Sequence, residues 1–204
     1  MFDPATLRLI AITDDLRDGR DGLLARAAAA VRGGATMVQL RLKDVEPGML
    51  VEVGSALVAA LPVPVLVNDR VDVALACGAA GVHVGADDLP VAVVRRVAPS
   101  HFVIGASLGS DAELANAQAA DYVGVGPVYA TASKLDAGAA IGVNEFVRLM
   151  HASRRPAVAI GGITAENVAP LIAAGAAGVA VISAVLGAAD PMGAARALWC
   201  ASGR

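Results

Sequence analysis

The chain has 204 residues and a formal net charge of −3, which leaves no basic surface of the kind that binds nucleic acid. Hydrophobic residues make up 56% of the chain and charged residues 17%, a composition that suits a buried parallel sheet covered by helices. No apolar run is long enough to span a membrane, the first residues lack a secretory signal, and Cys77 and Cys200 form no close metal or redox pair, so we expect a cytoplasmic protein.

Eight short, β-branched runs alternate along the chain with Ala-rich segments of helical length. The segments between the runs, such as residues 22–34, 49–61 and 166–175, space their apolar residues so that one face of a helix is covered. The predicted strands cover residues 7–13, 36–41, 63–68, 81–85, 101–107, 121–126, 156–162 and 178–183.

Three of the predicted helices stop at a glycine just before the next strand, at Gly34, Gly78 and Gly175. Eight sequential strand–helix units without a break in composition predict an α/β protein, a single domain over residues 1–204 folded as a (β/α)8 TIM barrel with eight parallel strands. An open doubly wound sheet is the alternative, because periodicity does not show closure, although no GxGxxG sequence follows the first strand.

Polar residues and glycines collect where the predicted strands end. All eight loops that follow the strands of a barrel converge on one face, which carries the active site, so this coincidence predicts a site there. The residues concerned are Thr13, Asp14, Gln39, Arg41, Lys43, Asn68, Asp69, Asp87, Asp88, Ser107, Thr131, Ser133, Lys134, Gly161, Gly162 and Ser183.

Asp69 and Asp88 follow neighbouring strands of the predicted barrel. Since adjacent strands lie roughly 5 Å apart, the two carboxylates are placed to share one ion. Coordination by a few protein oxygens, completed by water and a substrate phosphate, is the usual habit of Mg²⁺. The alternative is that each aspartate only caps the helix that follows it.

Gln39, Arg41 and Lys43 occupy alternate positions at the end of the second predicted strand, opposite Leu40 and Leu42. Two cations and an amide on one face predict a binding site for a polyanion, with Arg41 as a planar donor and Lys43 as a point charge. A solvated charged loop is the alternative, but it leaves Arg41 unexplained within an apolar strand.

The loops after the last three predicted strands extend the site. Loops seven and eight of a barrel often hold a phosphate through backbone N–H groups and a short helix N-terminus, so Gly161, Gly162 and Ser183 predict a phosphate site, with a plain tight turn as the alternative. The long loop 127–142 is a candidate lid, with Lys134 either reaching over the site or solvated. Two phosphorylated ligands in one site indicate a transfer reaction in which diphosphate leaves.

The histidines do not predict nucleophilic catalysis. His83 lies within the fourth predicted strand, and neither it nor His101 nor His151 has a visible Ser or Cys partner. We therefore expect His83 to be a hydrogen-bonded residue of the barrel.

The chain resembles the thiamine-phosphate synthase family from about residue 7 to 187. The resemblance implies a Mg²⁺-dependent transferase that joins hydroxymethylpyrimidine diphosphate to a thiazole phosphate, with thiamine monophosphate and pyrophosphate as products. It also implies a dissociative mechanism, in which the bond to the diphosphate breaks first and the thiazole nitrogen captures the pyrimidine-methyl cation. The segments that carry the resemblance are QLRLKD (39–44), NDRVDVALACGAAGVHVGADDLP (68–90), DYVGVGPVYATASK (121–134), VAIGGITAENV (158–168) and GVAVISAV (178–185).

The resemblance further implies roles for residues of this chain, with small molecules as the only partners and either a monomer or a homo-oligomer as the assembly. Asp69 and Asp88 would hold Mg²⁺. The residues implied as catalytic are Arg41, Lys43, Ser107 and Lys134. Those implied to bind the pyrimidine diphosphate are Gln39, Leu40, Arg41, Leu42, Lys43, Asn68, Ser107 and Lys134. Those implied to bind the thiazole phosphate are Thr131, Ala132, Ser133, Gly161, Gly162, Ile182 and Ser183.

Two other functions stay open. The first is a thiazole tautomerase-like protein, although Pro127 stands where we expect the catalytic His of such an enzyme. The second is a non-catalytic barrel that only binds the thiazole phosphate. Departures from the family pattern at Ala86 and from Leu108 to Ser110 are the features that favour it.

Overall fold

A computed structural model of the protein describes residues 2–133 and 138–203. Short parallel strands form its centre, each separated from the next by a segment that contains at least one helix. The strands are β1 (Leu9–Ile12), β2 (Met37–Leu40), β3 (Val65–Asn68), β4 (Gly81–Val84), β5 (Val103–Leu108), β6 (Tyr122–Val125), β7 (Ala157–Ile160) and β8 (Gly178–Val181).

The eight strands close into a barrel in chain order. β1 pairs in parallel with β2 on one side and with β8 on the other, where Leu9 lies opposite Val179 and Ile10 opposite Ala180. The predicted (β/α)8 barrel is therefore confirmed, and the open doubly wound sheet is wrong.

Helices surround the barrel and connect its strands. Within residues 2–133 and 138–203, no helix combines the length and the apolar character that a membrane span requires. The helices are α1 (Gly19–Arg32), α2 (Pro47–Ala60), α3 (Val71–Ala76), α4 (Val91–Val97), α5 (Leu114–Ala117), α6 (Gly142–Ser153), α7 (Ala169–Ala173) and α8 (Pro191–Ala201), with 3-10 helices at Pro4–Leu7 and Asp111–Glu113.

Apolar side chains fill both sides of the sheet. Between sheet and helices lie two clusters, one centred on α6 to α8 and one on α1 to α4. Apolar residues lie on both faces of the sheet because successive side chains along a strand point to opposite faces. The interior of the barrel is filled by Leu7, Ile10, Ile12, Met37, Leu66, Val103, Tyr122, Val158 and Ala180.

The predicted helix stops are confirmed by the backbone. Gly34, Gly78 and Gly175 have φ values of +116°, +71° and +102°, in the range that L side chains rarely adopt. Each glycine therefore turns the chain from a helix towards the next strand without the steric cost that a Cβ would bring.

The strands are mostly shorter than predicted, and this changes the position of one candidate residue. β2 ends at Leu40, so Arg41 lies beyond the ladder. At the other end of the barrel, Leu7 belongs to the 3-10 helix Pro4–Leu7. In both cases an apolar residue extends the pattern past the hydrogen-bonded ladder: Leu7 before β1 is fully buried, and Leu42 after β2 is partly buried against the core.

Candidate active site

Two adjoining cavities lie among the described loops at the carboxyl ends of the strands. The first cavity, of about 430 Å³, is formed mainly by the loops after β2, β3 and β4. The second cavity, of about 670 Å³, is formed mainly by the loops after β6, β7 and β8. Both are as large as typical small-molecule sites. Their shared wall consists of Gly85, Ala86, Asp87, Ser107, Gly124, Ile160, Ala180 and Ile182.

The structure brings the two predicted sets of residues together in separate cavities. Lys134 lies outside the described residues, as does part of the candidate lid 127–142. The first cavity is lined by every other residue predicted for the pyrimidine diphosphate and the metal: Gln39, Leu40, Arg41, Leu42, Lys43, Asn68, Asp69, Asp88 and Ser107. The second cavity is lined by every residue predicted for the thiazole phosphate: Thr131, Ala132, Ser133, Gly161, Gly162, Ile182 and Ser183.

Arg41 is held at the mouth of the first cavity through its backbone. The hydroxyl of Thr13, a fully buried residue that follows β1, donates to the Arg41 carbonyl at 2.9 Å and accepts from the Arg41 N–H at 2.8 Å. Arg41 is half-buried beyond the end of its strand. Thr13 thus fixes the backbone of Arg41 at a point where the hydrogen bonds of the sheet have ended.

Gln39 and Asn68 line the floor of the first cavity as a hydrogen-bonded pair of amides. The Nε2 of Gln39, a side chain with only 4% exposure, donates to the Oδ1 of Asn68 at 2.7 Å. This bond fixes the orientation of both amides and leaves the Asn68 NH₂ as a donor. Leu40 and Leu42 pack into the apolar cluster between sheet and helices, as alternation predicts.

Asp69 and Asp88 both line the first cavity, and neither occupies the N-cap position of the helix that follows it. Asp69 has a φ of +62°, so the chain turns sharply after β3, and α3 is preceded by Arg70. Asp88 Oδ2 accepts from the N–H of Gly85 at 2.7 Å, and α4 is preceded by Pro90. The capping alternative is therefore wrong for both.

The donor chemistry of this pair fits a hard divalent cation. The described residues contain no group of three His, Cys, Asp or Glu side chains placed to hold a metal ion. Mg²⁺ needs no such group, because it is often bound by one or two carboxylates, with water and phosphate oxygens as the other ligands. Asp69 and Asp88 can supply those carboxylates.

Neighbouring charges on Arg70 and Asp72 belong to a separate ion pair. The guanidinium of Arg70 donates to both carboxylate oxygens of Asp72, at 2.9 and 2.5 Å. This hydrogen bonding lowers the pKa of Asp72. The bidentate geometry orients Arg70 towards Asp72.

The second cavity is shaped by a glycine loop after β7. Gly161 and Gly162 have φ values of +96° and +63°. A Cβ on Gly162 would lie 2.5 Å from the carbonyl oxygen of Ala130, and a Cβ on Gly161 would lie 2.5 Å from Pro127 Cβ. Both positions therefore require glycine, since the loops after β6 and β7 approach each other closely there.

Hydroxyl groups from two loops meet above that glycine loop. The hydroxyls of Ser133 and Ser183 lie 2.9 Å apart, and the N–H of Ser133 donates to the hydroxyl of Thr131 at 3.2 Å. Residues 183–187 form turns, so the polar groups on this side of the second cavity are hydroxyls and loop N–H groups.

His83 has a serine partner that the sequence did not reveal. Its Nε2 lies 3.2 Å from the hydroxyl of Ser107, and its Nδ1 lies 3.0 Å from the hydroxyl of Tyr122. The expectation of a hydrogen-bonded barrel residue is therefore confirmed. Tyr122 itself was missed, although alternation along β6 places it on the same face as Gly124.

The fold and the position of the site define a class: a (β/α)8-barrel protein with its site at the carboxyl ends of the strands. The family model for thiamine monophosphate synthase matches residues 9–185. The chain belongs to this thiamine monophosphate synthase family, so the resemblance is confirmed, and with it the class of transferase.

Relatives of known name agree with this family. Thiamine-phosphate synthase of Methanoculleus marisnigri is 52% identical over 183 residues, covering 86% of this chain and 84% of its own. The thiamine-phosphate synthase of Roseiflexus castenholzii is 47% identical over 192 residues, covering 92% and 84%. Among solved structures, thiamine phosphate pyrophosphorylase from Pyrococcus furiosus superimposes with a TM-score of 0.84 at 35% identity, covering 98% of this chain and 97% of its own.

Proposed function

We propose that this transferase joins hydroxymethylpyrimidine diphosphate, bound in the first cavity, to a thiazole phosphate bound in the second. The observation that carries the proposal is the shared wall between the cavities, which brings the reacting ends of two phosphorylated ligands together. Holding two reactants in contact supplies a large part of the rate of such a reaction. The products are thiamine monophosphate and pyrophosphate.

The diphosphate is bound at the mouth of the first cavity. Arg41 and Lys43 line this region and provide positive charge, with the backbone of Arg41 fixed by Thr13. The amides of Gln39 and Asn68 lie deeper, where they recognise the polar edge of the pyrimidine. As the bond to the diphosphate breaks, negative charge grows on the leaving group, and cations already in place stabilise it without reorganisation.

We propose that Asp69 and Asp88 bind Mg²⁺ beside the diphosphate. Bound there, Mg²⁺ supplies Lewis-acid neutralisation of the leaving group. The support is that both carboxylates line the cavity of the two cations, and that the hydrogen bond from Gly85 orients Asp88. The N–H groups and hydroxyls of the second cavity, including those of Ser133 and Ser183, bind the thiazole phosphate.

The two other functions are not favoured. Neither a tautomerase nor a thiazole phosphate sensor has a use for the cations and carboxylates of the first cavity. The relatives of this chain carry the synthase name. A cytoplasmic location, the absence of nucleic-acid and membrane partners, and the choice between monomer and homo-oligomer stay predictions from the sequence.

The direct test is product formation from the two substrates, with Mg²⁺ and with a chelator instead. We expect thiamine monophosphate and pyrophosphate in equal amounts, and only when the metal is present. Chromatography of the thiamine product and a coupled assay for pyrophosphate measure both. A folded protein that binds thiazole phosphate but forms no product would contradict the proposal and favour the tautomerase or the sensor.

The replacement Thr13→Val tests the support of Arg41. Valine keeps the shape of the side chain but removes two hydrogen bonds of a buried hydroxyl, together worth about 1–3 kcal/mol. We expect the KM for the pyrimidine diphosphate to rise about tenfold while the KM for the thiazole phosphate stays within twofold, as steady-state kinetics would show.

Thr36→Val is the matched control for this variant. The Thr36 hydroxyl also makes backbone hydrogen bonds, from Leu9 N–H at 3.0 Å and to the Thr6 carbonyl at 2.9 Å, but it lies at the opposite end of β2. It should lower the free energy of unfolding and leave both KM values unchanged. Equal kinetic effects of the two variants would mean that Thr13 acts on general stability alone.

A further inference from the structure

Three side chains from neighbouring strands form a continuous row of hydrogen bonds beneath the shared wall. Tyr122 on β6 contacts His83 on β4 across 3.0 Å, and His83 contacts Ser107 on β5 across 3.2 Å. Ser107 lines both cavities, whereas His83 and Tyr122 line only the first. The row therefore connects the interior of the barrel to the place where the two ligands meet.

Two glycines make room for this row. In the sheet register, Gly105 lies between His83 and Tyr122, and a Cβ there would come within 2.3 Å of the tyrosine ring. Gly124 pairs with Ser107, and a Cβ there would lie 3.1 Å from His83 Cε1. The phenol thus reaches across β5 to the imidazole only because the strand between them has no side chain at that level.

The buried phenol sets the direction of the row, meaning which atom is the donor in each of its hydrogen bonds. Tyr122 is only 1% exposed, and burial raises its pKa, so the hydroxyl keeps its proton. Among the described residues, the acceptor within reach of that hydroxyl is His83 Nδ1. The reverse direction would leave the phenol hydrogen buried without an acceptor, which is costly. Tyr122 therefore donates to Nδ1, and the proton of the neutral imidazole lies on Nε2.

Ser107 lies at the end of the row, and its hydrogen bond with His83 orients its hydroxyl group. With the proton on Nε2, the imidazole donates to the Ser107 oxygen, and the hydroxyl hydrogen of Ser107 is left to point into the cavity. A hydroxyl held in this way offers a donor at a fixed position and needs no reorganisation when charge develops on its acceptor.

We propose that Tyr122 and His83 are positioning residues that fix the Ser107 hydroxyl as a donor to an oxygen of the departing diphosphate. No proton is transferred along the row: each hydrogen stays on its own atom throughout the reaction. This inference rests on the proposed function for the identity of the acceptor, but the direction of the row can be tested without turnover.

The first test is the tautomer of His83 in the unliganded protein. Nitrogen NMR of labelled imidazole side chains distinguishes the two neutral tautomers, and exposed His101 and His151 provide internal references. We expect a protonated Nε2 and an unprotonated Nδ1 for His83, and loss of this single-tautomer signature in Tyr122→Phe. A wild-type protein with the proton on Nδ1 would overturn the proposal, whether or not the enzyme turns over.

The second test is kinetic. We expect Tyr122→Phe to lower kcat about tenfold, the loss of one oriented hydrogen bond, with the KM for the thiazole phosphate unchanged. In a Ser107→Ala background, Tyr122→Phe should have no further effect on kcat, because the hydroxyl that it positions is gone. The matched control is Tyr129→Phe, which removes a hydroxyl that donates to the Asn167 carbonyl at 3.2 Å.

The outcomes distinguish a failure of the positioning role of Tyr122 and His83 from a failure of the proposed function. An equal loss of kcat in both backgrounds would show that Tyr122 serves stability alone and would overturn the proposal, as would an equal effect of Tyr129→Phe. A wild type with the expected tautomer but no product would leave the row intact and contradict the proposed function instead.

Discussion

Asp69→Asn should lower kcat/KM by about a thousandfold and shift activation by Mg²⁺ to higher concentration. The substitution removes one of two carboxylates that line the first cavity. A divalent ion at a leaving group supplies several kcal/mol, and about 4 kcal/mol corresponds to a factor of a thousand. Since Asn adopts left-handed conformations readily, the φ of +62° at this position is retained.

Initial rates measured over a Mg²⁺ titration provide the readout. The matched control is Asp190→Asn, which removes the same charge at a position where the side chain caps α8 by accepting from Gly193 N–H. Asn caps helices as well as Asp does, so this variant should retain wild-type activation. An Asp69→Asn enzyme with an unchanged activation curve would exclude Asp69 as a metal ligand.

Gly162→Ala should raise the KM for the thiazole phosphate at least tenfold. Its added Cβ would lie 2.5 Å from the Ala130 carbonyl oxygen and 2.8 Å from Tyr129 Cβ, so the loops after β6 and β7 must separate. The loop after β6 also carries Ser133, whose hydroxyl lies 2.9 Å from that of Ser183 in the loop after β8, so this contact would change with it. The KM for the pyrimidine diphosphate should stay within about threefold, because the first cavity is untouched.

Gly78→Ala is the control that distinguishes the backbone strain of a positive φ from the steric clash of an added Cβ. Gly78 has a φ of +71°, close to that of Gly162, but a Cβ there would meet nothing within 4 Å. Both variants should lower the free energy of unfolding by about 1–2 kcal/mol through the left-handed backbone alone. Only Gly162→Ala should raise the KM for the thiazole phosphate. Equal KM values for the two variants would show that the glycine loop takes no part in binding.

The sequence predicted the order of the strands and the face that carries the site, for definite reasons. Alternation and helical periodicity are local properties, and the glycines at 34, 78 and 175 state where helices end. Once eight strand–helix units are counted, the convergence of their loops follows from the geometry of the barrel. Asp69, Arg41 and Ser183 could be assigned to one face without any coordinates.

The contacts between strands could not be predicted in the same way. The row from Tyr122 to Ser107 depends on the stagger of the strands and on the empty position at Gly105, which reads in the sequence as an ordinary strand glycine. The hold of Thr13 on Arg41 joins residues 28 apart in the chain. Tertiary packing determines which residues form such pairs, and the periodicity of the sequence does not predict it.

The shared wall of the two cavities has a consequence for inhibition. A single molecule with an anionic group at each end, and a short linker past Ser107 and Gly124, would occupy both cavities at once. Binding of its first end would place the second at an effective concentration in the millimolar range. Such a bisubstrate compound should bind far more tightly than either of its halves, and a longer, flexible linker would forfeit that advantage.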